Sequence, residues 1–387
     1  MTAAARDHPA YDLAACRARV PILASAIPMN NCSQAPQTDA TRAAALRYLD
    51  EWNTRGMDWD GWMDEVALAK AEFARLINAS AEHIAVCCSV SAATSAIATA
   101  LDFSGERTTV VASEAEFPTV GQVWLAQERR GARVRWAPLR NGAVDVAAYE
   151  ELIDERTRAV SACHGYYLDG ALQDLGALAR LAHAKGALLY VDAYQTLGTV
   201  PVDVAAAGVD FLASGNLKFL MGIPGIAFLY IRGELIERLE PLVTGWFGRT
   251  TPFGFDLKTL DWAPGASRFD GGTPPVVNAY VARAGMGLIN RLGTPAIRSW
   301  LQLLGQRLLE GGAPRVHPRL GPTDSPRTTA TPAWALHDSH AVERALRERR
   351  VIASARGPVI RLAPHYYTSL DDVDAALDAL ADVLRPA

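Results

Sequence analysis

The chain has 387 residues, half of them hydrophobic, and a formal charge of −4 at pH 7. That length exceeds one ordinary domain and provides for a large apolar core. Such mild acidity excludes a surface built to hold nucleic acid or acidic membranes, and no apolar run is long enough to span a bilayer.

The N-terminal residues lack an apolar h-region, so no secretory signal is expected. Five cysteines (Cys16, Cys32, Cys87, Cys88 and Cys163) form no C-x-x-C pair. Their odd number discourages a disulfide framework, which fits a reducing cytoplasm. Cys87 and Cys88 fall in an apolar run and are expected to be packed thiols. The histidines show no ligand spacing, so no catalytic metal is expected.

Residues 1–40 are mixed in pattern and contain the polar, turn-prone stretch PMNNCSQAP. From 41 to 77 the apolar spacing is helical, carried by Leu46, Leu49 and Trp52, then Val66, Leu68, Phe73 and Leu76. A Gly/Trp-rich break at 53–62 reads as the caps of two helices. A strand at 83–88 runs into a turn and a small-residue helix, SVSAATSAIATAL. Further elements alternate: strand 109–112, helix 122–130, strand 133–136, helix 146–154, strand 158–163, helix 175–184. Three short apolar runs follow, at 187–191, 209–212 and 226–231. Alternating strands and helices imply a mainly parallel sheet covered on both faces.

Residues 245–275 are rich in glycine, proline and aromatics, and so irregular a stretch is usually functional or interfacial. Helices at 276–292 and 297–309 come next, then a Pro/Gly/Arg-rich connection. A compact α/β unit closes the chain, with a helix at 339–350, strands at 351–354 and 358–362, and a helix at 370–384 capped by Ser369.

Two charged residues stand where central strands end. In open α/β sheets ligands bind outside those ends, so Asp192 and Lys218 are placed to meet one ligand. A desolvated lysine becomes a nucleophilic amine able to form a Schiff base. An aspartate facing a pyridine nitrogen keeps the ring protonated as an electron sink. Asp-x-x-Gln at 192–195 followed by Ser-Gly-x-x-Lys at 214–218 resembles the class V aminotransferase-like enzymes that use pyridoxal phosphate. The resemblance is to the cysteine desulfurase, selenocysteine lyase and kynureninase group.

That resemblance implies a fold type I enzyme with a seven-stranded, mainly parallel sheet in a large domain (41–290). It also implies a smaller C-terminal α/β domain (291–387), packed with an N-terminal arm (1–40). It implies a homodimer with shared sites, acting on a small-molecule amino acid substrate; the mild charge and the lack of a spanning apolar run already point to no nucleic-acid or membrane partner. Lys218 would carry the cofactor and move the Cα proton, Asp192 would hold the ring nitrogen, and Gln195 the phenolic oxygen. Ser214 and Asn216 would support the phosphate or the Schiff base. The start of the helix after 89, with Ala92, Ala93 and Thr94, fits the place of the phosphate, although small residues there equally serve close helix packing.

Phe117, in Glu-Phe-Pro-Thr, matches a kynureninase-like ring that lies on the pyridine. His164 follows a strand end where relatives touch the phenolic side, or is a hydrogen-bonded core-edge histidine. Thr273, in Arg-Phe-Asp-Gly-Gly-Thr-Pro, would reach the phosphate of the neighbouring subunit. Arg361, in VIRLAPHYY, would grip the substrate α-carboxylate through two parallel hydrogen bonds. Asn31 or Ser33 would lie near the substrate if 28–36 is more than a connecting loop.

Two departures narrow the reaction. Leu217 stands where desulfurases have His and kynureninases Tyr, and residues 351–363 contain no cysteine to accept sulfur. The expected activity is a lyase on an L-amino acid through an external aldimine, breaking a C–S or Cβ–Cγ bond without a persulfide cysteine. A class V aminotransferase and a catalytically silent binding module are the alternatives.

Overall fold

A computed structural model describes residues 8–140, 144–312, 319–322 and 325–385. The chain begins with helix α1 (Leu13–Ala18) and a two-residue strand β1 (Ile27–Pro28). Helices α2 (Asp39–Arg55) and α3 (Trp59–Leu76) come next. Thr38 and Thr41 form a capping box at the start of α2. Gly56, at φ 68°, ends α2, and the Asp58 side chain caps α3 through Gly61 N–H. The break expected over 53–62 is therefore only three residues long and is made of caps.

Strand β2 (Ile84–Cys87) leads into α4 (Val90–Ala100), which Ser89 caps. Strand β3 (Thr109–Ser113) is followed by α5 (Pro118–Ala126). That helix starts four residues before the sequence pattern places it, because Pro118 at its first position is already set to helical φ. Strand β4 (Arg133–Ala137), α6 (Val146–Glu150), β5 (Thr157–Cys163), α7 (Leu175–Ala184) and β6 (Leu188–Asp192) continue the alternation. Strands β7 (Phe211–Gly215) and β8 (Ala227–Ile231) are followed by the short α8 (Gly233–Ile236). β7 runs past the expected Leu212 because Ala213, Ser214 and Gly215 are also buried.

These strands build one sheet of seven, in the order β2-β8-β7-β6-β5-β3-β4. All neighbouring pairs are parallel except those made by β8, which is antiparallel to both β2 and β7. The fold is thus the mixed α/β architecture with a mostly parallel seven-stranded sheet expected from the resemblance. β7 and β8 are buried along their whole length, as strands covered on both faces must be. β4 lies on one side of β3 and β5 on the other. The strand order therefore reverses at β3, and a crevice opens there at the carboxyl ends of the parallel strands.

Helices α9 (Val276–Leu292) and α10 (Thr294–Gly312) lead to a second sheet. It contains β9 (Arg319–Leu320), β10 (Ala333–Ala335), β12 (Ser354–Arg356) and β13 (Val359–Arg361), antiparallel in the order β12-β13-β10-β9. Helix α11 (Ser339–Glu348), strand β11 (Val351–Ile352) and helix α12 (Leu370–Leu384) complete the chain. β1 pairs in parallel with β11, so the N-terminal segment is sewn to the C-terminal unit. Ala35 N–H also donates to Leu217 O, in the turn that carries Lys218. No helix among the described residues is long and apolar enough to cross a membrane.

Two exposures differ from the sequence pattern. Leu46, Leu49 and Trp52 of α2 are 45%, 48% and 57% exposed, so that apolar face is not buried within one chain. Cys87 is buried, but Cys88, expected to pack with it, is exposed. Five aromatics, Trp59, Trp246, Phe247, Phe253 and Phe255, cluster where the irregular 245–262 stretch meets the start of α3.

Candidate active site

At the strand-order reversal lies a cavity of about 330 Å³ lined by Asp192, Gln195, Lys218, Phe117, Arg361 and Ser33, among others. Asp192 is the last residue of β6 and is 7% exposed, with Oδ1 accepting the Tyr194 N–H at 2.9 Å. Burial raises its carboxyl pKa, while the Lys218 charge opposes the rise.

Lys218 sits three residues past β7. Its pKa is pushed down to about 8 by burial; Asp192 works against that shift, and Arg361 and Arg356 reinforce it. Lys218 therefore supplies a substantial neutral-amine fraction near neutral pH, as a nucleophile or base must. Its Nζ lies 4.3 Å from the centre of the Tyr194 ring and 5.7 Å from that of Phe117. The Tyr194 hydroxyl takes a hydrogen bond from the Leu217 backbone, and burial raises its pKa to about 12, so the phenol keeps its proton. Gly215 makes room for this ring, since a Cβ there would lie 2.1 Å from Tyr194 Cζ.

Gln195 lines the cavity and donates from Nε2 to Cys32 O at 3.1 Å. Phe117 is 42% exposed and meets Tyr167 edge-on at 5.2 Å. The starts of α4 and α5 also border the cavity. Ser89, Ser91 and Thr119 line the cavity there, and the Ser91 and Thr119 hydroxyls are 3.1 Å apart. Thr94 is turned into the sheet, with Oγ1 donating to Val90 O at 2.8 Å and lying 2.5 Å from the Tyr190 hydroxyl. Ala93 is packed in the core, and Ala92 lines a neighbouring cavity of about 490 Å³. Thr273 lines that second cavity and not the one holding Lys218. Cys88 borders both.

Arg361 ends β13 and is 1% exposed. Its guanidinium donates to Tyr167 O, to Ser354 Oγ at 2.7 Å and to Ser33 Oγ at 3.2 Å. Asn31 does not line the cavity. Its amide donates to Ala363 O at 2.7 Å and accepts from the Tyr367 hydroxyl at 2.7 Å, which braces the N-terminal segment against the C-terminal unit. The neighbouring Ser33 faces the cavity instead.

His164 also lies outside the lining. Its Nδ1 is 2.9 Å from Thr196 Oγ1, and burial, with Arg298 adding to it, lowers its pKa to about 4. The flanking Cys163 and Gly165 are the residues that reach the cavity. Ser214 Oγ donates to Gly215 O at 3.0 Å. Asn216 is fully buried, and neither polar atom of its amide has a partner among the described residues.

Sequence reading leaves Ser91, Thr119, Tyr167, Tyr194 and Arg356 unmarked, yet all line the cavity. It also leaves Glu116 unmarked, immediately behind that lining. Glu116 is 7% exposed, accepts from Ser161 Oγ at 2.8 Å, and has its other carboxyl oxygen without a partner among the described residues. Burial, then the nearby Asp192 charge, raises its pKa to about 8.

The donor set suits a phosphorylated pyridine aldehyde. One amine of depressed pKa could take the aldehyde, and one buried carboxylate the ring nitrogen. Two helix starts with facing hydroxyls suit a phosphate. Lys218, Asp192, Gln195, Ser91 and Thr119 are the residues that would hold such a group. Once bound, it would draw electrons from a substrate Cα.

The class-V aminotransferase family profile matches residues 42–364. The chain is 35% identical to the uncharacterized aminotransferase YcbU of Bacillus subtilis (strain 168), over 93% of this chain and 95% of that protein. It is 26% identical to the kynureninase of Pseudomonas fluorescens, over 92% of this chain and 88% of the relative. Its fold matches that of the apo cysteine desulfurase from Thermococcus onnurineus NA1 with a TM-score of 0.87 at 22% identity, covering 98% and 99% of the two chains. A fold, a lysine-centred cavity and a sequence match that agree over most of the chain make this protein a member of the class-V aminotransferase family, a pyridoxal-phosphate-dependent enzyme.

Proposed function

We propose that the protein is a lyase that removes the Cα proton of an L-amino acid and expels a group from Cβ. One observation carries this reading: Lys218, Asp192 and Arg361 line a single cavity, and among the described residues no histidine lines it. Arg361 would hold the α-carboxylate, and the Asp192 carboxylate would keep the ring nitrogen protonated. Lys218, with a pKa near 8, would take the Cα proton as a neutral amine. The resulting ammonium would then return the proton to the leaving group.

No cysteine lies on the 351–363 segment that carries Arg361, which supports elimination over sulfur capture there. Cys32, Cys88 and Cys163 line the cavity from other segments; the Cys163 thiol contacts Ala115 O, and burial raises its pKa well above that of a free thiol. Transamination is the second reading, favoured by the relation to an aminotransferase at 35% identity.

We further propose that the working unit is a homodimer. The uncovered α2 face and the exposed position of Thr273, outside its own Lys218 cavity, both suit a second copy.

The test is a screen of L-amino acids for α-proton exchange in D2O, together with assays for keto acid and ammonia. Keto acid and ammonia without an added acceptor support the lyase. Keto acid made only with an added acceptor selects transamination. Absence of proton exchange with every amino acid would select the silent binding module.

A further inference from the structure

Two guanidinium groups enter the Lys218 cavity, and the α-carboxylate of an amino acid accounts for only one. Arg356 and Arg361 both line it, and both donate to the same hydroxyl, Ser33 Oγ, at 3.3 and 3.2 Å. Among the described residues neither pairs with a carboxylate. The remaining bonds of Arg361 go to Tyr167 O and Ser354, and those of Arg356 to Ala355 O. Asp192 is the one carboxylate in the lining among the described residues. Like charges held this close, with only neutral acceptors between them, favour an anionic occupant.

The two arginines differ in depth. Arg361 is almost wholly buried at the end of β13, while Arg356, at the end of the adjacent β12, is exposed toward solvent. A guanidinium takes one carboxylate through two parallel hydrogen bonds, so the deeper group is satisfied by a single acid. The outer group then stands where the far end of a side chain would leave the cavity.

We infer that Arg356 binds a second carboxylate at the distal end of the substrate's side chain, so that the preferred substrates are acidic L-amino acids. This inference rests on the proposed role of Lys218 and Arg361. It adds the class of substrate to that reading.

The test compares S-(2-carboxyethyl)-L-cysteine with its uncharged analogue S-(2-carbamoylethyl)-L-cysteine on the cofactor-loaded enzyme. Dissociation constants come from the change in cofactor absorbance, and turnover from α-proton exchange in D2O. The acid is expected to bind at least about ten-fold more tightly than the amide, as one charge-assisted contact provides. R356A should bring that ratio toward one, and R356K should keep part of it. Two outcomes overturn the inference: equal binding by the parent enzyme, or equal weakening of both ligands in R356A. The second would mean that both guanidiniums hold the α-carboxylate. If no amino acid exchanges its α-proton, the reading of Lys218 falls first and the inference falls with it, which separates the two failures.

Discussion

Lys218 and Tyr194 form a close pair, with the amine 4.3 Å from the ring centre and the phenol fixed to the Leu217 backbone. The ring keeps water from the amine, and burial is the largest cause of its depressed pKa. A cation over a ring is also stabilised, which acts in the opposite direction. Because burial dominates, Y194A should admit water and move the Lys218 pKa up, toward its ordinary 10.5. Y194F keeps the ring and should leave it near the parental value. The rate of amine acylation at Lys218 in cofactor-free protein, followed against pH by mass spectrometry, reads this directly. A parental midpoint near 10 would contradict the assignment.

Loss of Arg361 should act on binding and on folding together. The guanidinium is buried and satisfies Tyr167 O, Ser354 and Ser33. A charge-assisted bond contributes about 1.5–3 kcal/mol, so R361A should lower kcat/KM for any amino acid by roughly ten- to a hundred-fold. Denaturant melts should show a lower midpoint as well, because orphaned buried acceptors cost about 1–3 kcal/mol each. R361K should recover part of the stability and less of the kcat/KM, because an ammonium lacks the planar fork.

Glu116 should make stability depend on pH. Its carboxyl has a pKa near 8 in the folded chain and 4.5 ordinarily. Below pH 4.5 both states hold the proton, and Glu116 has no effect. Between 4.5 and 8 the unfolded chain gives up the proton while the folded chain keeps it, so rising pH disfavours folding. E116Q removes this penalty. Its stability gain over the parent should be absent near pH 4 and reach roughly 2–4 kcal/mol near pH 7.5. Urea melts at several pH values measure the gap, and a gap constant with pH would refute the assignment.

The open face of α2 should govern assembly. Leu46, Leu49 and Trp52 are a helical stripe with nothing over it in one chain. L49D or W52E should leave circular dichroism unchanged and shift the protein from dimer to monomer in analytical ultracentrifugation. Co-expression of K218A with T273A should then restore part of the activity in mixed dimers, since one site of each pair would be intact. Monomeric parental protein with full activity would rule out shared sites.

The sheet is legible in the sequence because its strands are short apolar runs closed by polar or charged residues, and Asp192 and Lys218 mark two of those ends. The details of the cavity follow from angles and distances that local patterns do not carry. Ser91 lines the cavity while Thr94, only about 60° round the helix from it, is buried against Tyr190 of the sheet, a difference finer than helical periodicity shows. Thr119 is hidden because the pattern starts α5 four residues late, after Pro118. His164 lies between the lining residues Cys163 and Gly165 and is turned away to Thr196, while Asn31, in the turn just before the lining residues Cys32 and Ser33, is held off by Ala363 O and the Tyr367 hydroxyl. Tyr194 and Arg356 carry no local signal at all. Their significance appears only when separate strands bring them beside Lys218 and Arg361.

The missing side chain at Gly215 leaves room that the Tyr194 ring fills, since a Cβ there would sit within 2.1 Å of Cζ. Positions 194 and 215 are therefore mutually contingent. A methyl at 215 displaces the Tyr194 ring from its present place unless 194 is small, so substitutions at these two sites are expected to be epistatic in a lineage or a directed-evolution library.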